Sequence, residues 1–477
     1  MKPLVSMREA LADPLLFGRV LEGESWSVWR VLLMATMGES LTASERDLFK
    51  AVTGREIEPD GMVEEAWFIV GRRGGKSRGI AVLGVYLAAL CDHLAVLAPG
   101  ERGVVPIVSA TQAQAGKVFQ YIQGILDGSP LLSKEVERRD ASSIGLTNRA
   151  DIEVRTASYR TVRGITALGV VADEVAFWSV EGSANPDTEV LNALRPSLAT
   201  TGGPLVCISS PYARRGELWN AFRRYYGPAG DPAILVAKGA SRTFNPSLSQ
   251  KVVDRALERD HAAASAEYLA EFRSDVEGYL SREAVDAVTA ADRLEVPPMS
   301  GTRYFAFVDP SGGSADSFTM AIAHLEGDTA VLDAIREVKP PFSPDGVVGE
   351  FAGLLKAYGI FRVSGDRYGG EWPRERFRAA GIAYEPSTKS KNDIYGALLP
   401  LVNSRRVELL DSPRLTAQLI TLERRTARGG RDTIDHPPGG HDDIANAVAG
   451  ALTQVAKPQL IIPDAVLERS RYRIFGQ

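Results

Sequence analysis

Hydrophobic and polar positions change rhythm twice along this chain. Over residues 1–60 the apolar positions recur at helical spacing, with Trp26, Trp29, Leu32 and Leu33 on one face, and predict a mostly helical lead-in. From 61 to 272 short apolar runs alternate with helical stretches, the pattern of an α/β domain. Strands are predicted at 66–70, 104–109, 168–172 and 204–209, with a helix at 78–90. Residues 273–300 hold a mixed helical stretch that runs into Pro297, Pro298, Met299, Ser300 and Gly301, and read as a linker. A second domain is predicted over 301–456. Its strands at 304–308, 319–324 and 330–338, the last two flanking a Gly327-Asp328 turn, form an antiparallel meander. A helix at 344–357, a strand at 360–364, helices at 371–380, 391–403 and 412–427, and a last helix from His441 follow. The tail, 457–477, has two prolines and alternating charge, and reads as poorly ordered or docked on a partner.

The sharpest chemical signal joins the strand at 66–70 to the helix at 78–90. Gly71, Arg72, Arg73, Gly74, Gly75, Lys76 and Ser77 stand there in the order of a phosphate-binding P-loop, or Walker A segment. Backbone N–H groups of such a loop cradle phosphates, Lys76 reaches the β- and γ-phosphates of ATP, and the Ser77 hydroxyl ligates Mg²⁺. The pattern departs from the usual one, because Val70 holds the first glycine's position and Gly71 comes one residue late. About a hundred residues on, Leu168-Gly169-Val170-Val171-Ala172 ends in Asp173 and Glu174, as a Walker B strand does. Asp173 would hold Mg²⁺ through water and Glu174 would polarise the attacking water. Arg72 and Arg73 lie where a cation could neutralise transition-state charge, or else are a solvated surface pair. Ser209 and Ser210 end an apolar strand where γ-phosphate sensing could couple to movement, or where a strand simply turns. Trp26 or Trp29 could stack on adenine, although both also suit the core.

In the second half, acidic residues fall at the ends of predicted elements. Asp309 closes the first strand of the meander, Asp366 follows the strand at 360–364, and Asp442 and Asp443 open the last helix. Neighbouring strands can bring the first two together, and a helix N-terminus can bring the third. Such a cluster holds two hard divalent cations, Mg²⁺ or Mn²⁺, that activate water and stabilise the leaving oxygen of a phosphodiester. The order of elements is that of an RNase H-like fold. Asp309 also suits a turn before proline, Asp366 a loop, and Asp442 or Asp443 a helix cap. Which member of the pair faces the cluster stays open. Asp316 and His441 are possible additional ligands. His93, His261, His324 and His436 show no zinc-site spacing.

Composition narrows the partners. The 477 residues exceed what one core supports, and 44% hydrophobic with 24% charged residues is ordinary for a globular protein. A net charge of −5 argues against a protein that coats nucleic acid over its whole surface, but allows a local basic groove. Residues 404–431 hold seven arginines against Glu408, Asp411 and Glu423. A second patch over 362–391 holds Arg362, Arg367, Arg374, Arg376, Arg378, Lys389 and Lys391. Such patches suit sequence-independent phosphate contact or are solvated helix faces. Cys91 and Cys207 stand far apart in apolar stretches, so no disulfide framework or cysteine zinc site is expected. Without a signal-like start or an apolar run of membrane length, the protein is expected to be soluble and intracellular, with no membrane partner.

Taken in order, GRRGGKS at 71–77, SATQAQAGKVF at 109–119, GVVADE at 169–174, CISSPY at 207–212, FVDPSGG at 307–313, SGDRYGG at 364–370 and HDDIANA at 441–447 resemble the large terminase subunit of tailed bacteriophages. The resemblance implies an N-terminal RecA-like, ASCE-type P-loop ATPase and a C-terminal RNase H-like nuclease. Together these would translocate viral double-stranded DNA through a portal protein into a procapsid and cut the concatemer. It implies ATP with Mg²⁺ on Lys76, Ser77, Asp173 and Glu174, and Arg72 or Arg73 as an arginine finger. Ser209 and Ser210 would lie in the coupling segment, and Asp309, Asp366 and Asp442 or Asp443 would be ligands of two metal ions. It also implies a homo-oligomeric ring, DNA delivery by a small terminase subunit, and action in the host cytoplasm. A cellular helicase–nuclease of repair or restriction is the alternative, although no second RecA-like domain is visible between 210 and 300.

Overall fold

The computed structural model describes all residues except 159–160, 179–185, 314–315, 367–371, 427–431, 438–439 and 457–477; the tail, Arg367, Arg428 and Arg431 of the sequence reading lie outside the described residues. The chain divides into two compact units, the first built on Met1–Glu277 and the second on Gly278–Arg424 with the elements after residue 431.

The first unit is built on a sheet whose central strands are buried on both faces. Its strands are β1 (Glu65–Val70), β2 (Gly103–Ser109), β3 (Val136–Arg139), β4 (Ser143–Leu146), β5 (Ala150–Thr156), β6 (Val170–Asp173), β7 (Leu205–Ser209) and β8 (Ile234–Gly239). The sheet order is β8-β1-β7-β6-β2-β5-β4-β3, parallel except for the terminal hairpin. Continuous apolar runs fit this, since a parallel sheet is covered on both sides. Along β1, Ala66, Phe68 and Val70 face one core while Trp67 and Ile69 face the other. The first core also takes helix Lys76–Ala89, helix Gln112–Gly128 and the three N-terminal helices Met7–Ala12, Ser27–Thr36 and Ala43–Thr53. The lead-in is thus part of this unit's core, with Trp29 fully buried. One strand, β7, lies between β1 and β6, which is the ASCE arrangement of a P-loop fold.

The second unit carries a seven-stranded sheet. Its strands are β9 (Thr289–Ala290), β10 (Tyr304–Asp309), β11 (Phe318–Glu326), β12 (Thr329–Val338), β13 (Arg362–Gly365), β14 (Ala383–Pro386) and β15 (Val407–Leu410), in the order β9-β15-β12-β11-β10-β13-β14. Strands β10, β11 and β12 form the antiparallel meander, with Gly327 at φ 62° in its turn. Strands β13 and β14 then run parallel to β10. Numbered from β10, this is the 3-2-1-4-5 strand order of the RNase H-like fold, with two strands added beside β12. Helices Pro344–Ala357 and Trp372–Ala379 contribute to the core on one face, and Lys391–Asn403, Pro413–Thr421 and Asp443–Val455 to that on the other.

Three expectations shift. The stretch 273–300 is not a free linker, because Tyr279, Leu280, Val285 and Val288 are buried in the second unit's core and Thr289–Ala290 joins its sheet. The helix expected over 412–427 ends at Thr421, where Leu422 turns extended and Glu423–Thr426 becomes a strand. Strands β14 and β15, only four residues each, carry too short an alternation to be read. No helix among the described residues is long and apolar enough to cross a membrane.

Candidate functional sites

The first site forms where β1, β7 and β6 end at one level. Val70 is the last residue of β1 and is fully buried, so its side chain belongs to the core. The glycine comes one residue later because a Cβ on Gly71 would lie 2.4 Å from the Ser241 hydroxyl and 2.8 Å from the Tyr268 carbonyl. Gly75 caps the following helix at φ 83°, the left-handed conformation glycine adopts without strain. Beneath the loop, the Trp29 indole donates to the Gly74 carbonyl at 2.7 Å and packs against Phe68 and Phe244. Trp29 therefore supports the loop from the core. Trp26, half-buried, carries the Arg78 guanidinium over its ring at 4.9 Å.

Lys76 opens the helix and is buried. Its ammonium donates to the Val70 carbonyl at 3.1 Å and to the Ser210 hydroxyl at 2.8 Å, and lies 3.4 Å from the Glu174 carboxylate. Glu174 follows β6 in a left-handed conformation, φ 53°. Its other oxygen accepts from the Ser209 hydroxyl and the Ser210 N–H, both at 3.1 Å. Ser209 and Ser210, at the end of the intervening strand, thus connect the loop lysine to the carboxylate that follows β6. Ser77 is the second residue of the helix, and Asp173 the last residue of β6. Asp173 is buried, and burial first, then the neighbouring Glu174 charge, pushes its carboxyl up to about 7.

Arg72 and Arg73 are both exposed. The Arg72 guanidinium pairs with Glu267 at 3.1 Å, its carbonyl accepts from Ser241 at 2.6 Å, and the Arg73 carbonyl accepts from Asn245 at 2.9 Å. Ser241, Asn245 and Glu267 clamp the loop from some 170–195 residues away in sequence. No local pattern announces them.

The second site lies at the ends of β10 and β13. Parallel pairing aligns Val308 with Gly365, so Asp309 and Asp366 emerge side by side. The Asn446 amide donates to both, at 2.8 Å and 2.7 Å. Asn446 lies within one turn of Asp442 and Asp443 on the helix Asp443–Val455, and is itself buried. The Thr319 hydroxyl, opposite Asp309 on β11, donates to the Asp443 carbonyl at 2.7 Å and pins that helix end to the sheet. Asp442 stands at the N-cap, yet its side chain caps nothing. Instead it accepts from Tyr395 at 2.8 Å and from the Lys391 ammonium at 2.9 Å and 2.7 Å on its two oxygens.

Burial raises the Asp309 carboxyl well above its ordinary value; the Asn446 amide works against this, and the charges of Asp366, Asp443 and Asp442 add to it. Burial likewise raises Asp366, and raises Asp443 with help from Asp442 and Asp316. Among the described residues, the buried Asp443 Oδ2 and Asn446 Oδ1 have no hydrogen-bond partner. A set of crowded carboxylate oxygens with two acceptors unsatisfied among the described residues fits hard divalent cations. Asp316 is exposed, 3.6 Å from His441, at the rim. His324 is buried against Asp333 at 2.8 Å, inside the sheet. His436, for which no metal role was read, has ligand atoms within 4.8 Å of those of Asp435 and Asp442. Of the residues that sequence reasoning missed, Asn446 was within reach through its helical spacing from the aspartate pair. Lys391, Tyr395 and Asp435 come from distant elements.

No family model matches the chain, and no curated protein matches it. Solved structures do. The HK97 bacteriophage large terminase is 16% identical, with 91% of this chain and 100% of that one covered at a TM-score of 0.38. The large terminase from a thermophilic bacteriophage, in complex with ADP, is 12% identical, over 82% of this chain and 94% of that one, at 0.37. The large terminase nuclease from thermophilic phage G20c with bound magnesium is 20% identical, over 36% of this chain and 97% of that one, at 0.33. The chain is similar to phage large terminases.

Asp173 yields a measurable pH dependence. Between the usual carboxylate range and about 7 the unfolded chain has lost this proton while the folded one keeps it, so folded stability falls as pH rises through that window. The full effect is at most about 4 kcal/mol. Asp173→Asn removes this component. Thermal melting of the nucleotide-free protein should therefore decline less from pH 5 to pH 8 in the variant; equal declines would contradict the assignment.

Proposed function

We propose that this chain is the large subunit of a viral terminase, hydrolysing ATP in its first unit to drive double-stranded DNA and cutting DNA with divalent cations in its second. The observation that carries this reading is the presence in one chain of both clusters, Lys76 with Ser210 and Glu174, and Asp309 with Asp366 and Asn446. With a triphosphate in the loop, Lys76 exchanges the Val70 carbonyl and Glu174 for the β- and γ-phosphates. Gly71, Gly74 and Gly75 let the backbone approach those phosphates, and Ser77 and Asp173 hold the accompanying Mg²⁺. Glu174, released from the lysine, orients the attacking water. Ser209 and Ser210 bond Glu174 directly, so they are the residues through which loss of the γ-phosphate is felt. Arg72 or Arg73, on the same loop, supplies positive charge to the transition state once freed from surface partners such as Glu267.

In the second unit Asp309, Asp366, Asp442 and Asp443 would hold two divalent cations, which when bound supply an activated water and stabilise the leaving oxygen. Asn446 keeps the first two carboxylates side by side. The oligomeric ring, the portal protein, the small terminase subunit and action in the host cytoplasm belong to the same proposal and rest on the motif resemblance.

Side-chain pairing sorts the basic patches. Over 404–431, Arg406, Arg414 and Arg424 pair with Asp328, Glu337 and Asp432. Over 362–391, Arg362 and Arg376 pair with Glu385 and Asp345, and Lys391 with Asp442. Arg374 and Arg378, one helical turn apart, line a groove of about 460 Å³ together with Tyr384. The Tyr384 hydroxyl donates to the Asp366 carbonyl at 2.6 Å, so this groove adjoins the carboxylate cluster. Two guanidinium groups lining one groove suit contact with a phosphate backbone. We read the groove as a sequence-independent contact for the DNA backbone.

Three measurements test the proposal. ATP turnover by the full chain should be lost in Lys76→Ala; turnover that persists would remove the ATPase reading. Incubated with plasmid DNA and Mn²⁺ or Mg²⁺, the full chain should cut with little sequence preference. Asp366→Ala should abolish this cutting while ATP turnover survives. In metal-free duplex binding, Arg374→Gln/Arg378→Gln should weaken affinity and make the log–log salt slope shallower by about 2, the loss of two phosphate contacts. A slope equal to that of the wild type would move the contact elsewhere.

A further inference from the structure

Lys391 has no part in the chemistry proposed above, yet its position is unusual. It is the first residue of helix Lys391–Asn403, where the helix dipole disfavours a cation. The helix gains nothing from it there, because Ser390 and Asp393 already form a complete capping box. What favours this position is the pair of carboxylates facing it. The ammonium spans both oxygens of Asp442 at 2.9 Å and 2.7 Å and also reaches Asp435 at 3.0 Å. Asp435 is held opposite by the next residue of the helix. The Asn392 side chain donates to the Asp432 carbonyl at 2.9 Å and accepts from the Ile434 N–H at 2.7 Å, fixing strand Asp432–Asp435 against the helix.

Within the cluster this makes Asp442 different from its neighbours. Asp309 and Asp366 share a neutral amide, and Asp443 Oδ2 is buried with no hydrogen-bond partner among the described residues. Among the described residues, Asp442 is the one of the four with an ammonium in hydrogen-bond contact. A divalent ion on Asp442 would have to share its oxygens with an ammonium in hydrogen-bond contact, and at that range like charges exclude one another. Lysine and metal are therefore alternatives at this carboxylate.

We propose that Lys391 is a built-in counter-ion that occupies Asp442 in place of the second metal ion, and that a DNA phosphate entering the site draws it away. This rests on the nuclease reading of the same cluster. Asp435 gives the ammonium a place to remain when it leaves Asp442, so the exchange needs a side-chain swing and no refolding. Without DNA the site holds one ion, and the second joins when the backbone to be cut is present. Lys391 is thus a positioning residue that keeps the cutting site incomplete until substrate arrives.

The test is Mn²⁺ binding to the full-length protein by calorimetry without DNA or nucleotide, with Asp366→Asn identifying the ions that belong to this site. The wild type should bind one Asp366-dependent ion. Lys391→Met and Lys391→Gln should bind a second with at least tenfold higher affinity, and Lys391→Arg, which keeps the cation, should behave as the wild type. In cleavage, the half-saturating Mn²⁺ concentration should fall as duplex concentration rises in the wild type and be independent of duplex in Lys391→Met. Identical Mn²⁺ binding by the wild type and both neutral variants, with Asp366→Asn still removing an ion, would overturn the counter-ion while leaving the nuclease intact. No Asp366-dependent ion in any variant, and no cleavage, would remove the nuclease reading and this proposal with it.

Discussion

Both sites exist because neighbouring strands run parallel and stop at the same level. In the first unit β1, β7 and β6 are adjacent and parallel, so the loop after Val70, the serines at 209 and 210, and the pair Asp173–Glu174 reach one edge of the sheet. In the second, β10 and β13 are parallel neighbours, and the register that aligns Val308 with Gly365 delivers Asp309 and Asp366 together. An antiparallel neighbour would send its C-terminal end to the opposite edge. Carboxyl ends of parallel strands gather functional groups in open α/β sheets for this reason. The meander's antiparallel strands contribute support instead, as Thr319 does by holding the Asp443 carbonyl.

Gathering acids in this way creates a charge problem, and the two sites meet it differently. In the first, a lysine answers a single glutamate, with the Ser210 hydroxyl bonded to the lysine and its N–H to the carboxylate, and the acid left over, Asp173, is pushed up to about 7 by burial. In the second, four carboxylates meet one amide, one phenol and one ammonium. Burial drives Asp309, Asp366 and Asp443 toward their neutral forms.

How much of this was legible depended on whether the signal was local. The loop from Gly71 to Ser77, the strand ending in Asp173 and Glu174, and the acids at 309, 366, 442 and 443 sit at boundaries between apolar periodicities, and those boundaries are written in the sequence. Helix 391–403 was legible to the residue because Ser390 and Asp393 cap it. Leu168 and Gly169, expected in the strand, precede it, since a Cβ on Gly169 would lie 2.6 Å from Leu87 where the helix crosses closely. Strand β14 ends in Pro386 and exposes alternate residues, so its four positions look like a loop. The clamps on the phosphate loop, Ser241, Asn245 and Glu267, and the cation on Asp442 arise only when distant elements meet. The pairing of Arg406, Arg414 and Arg424 with acids was hidden for the same reason, so a run of arginines overstated the exposed charge.

Glu174 shows what it costs to set such a residue at a strand end. Its φ of 53° is a conformation that a residue with a side chain adopts at a cost of about 1–2 kcal/mol. Asp173 before it is the last residue of a buried strand, and Val175–Phe177 after it is already a short 3₁₀ turn. A relaxed extended conformation would carry the chain onward past the sheet edge and take the carboxylate away from Lys76. The left-handed turn holds it back, and three contacts, from the Ser209 hydroxyl, the Ser210 N–H and Lys76, offset the strain. In the function proposed above, a phosphate that takes Lys76 removes one of them. The remaining two come from the strand end that carries Ser209 and Ser210. Strain held at Glu174 is thus coupled to what the loop binds, and the strand between the loop and the acid is the element that feels the exchange.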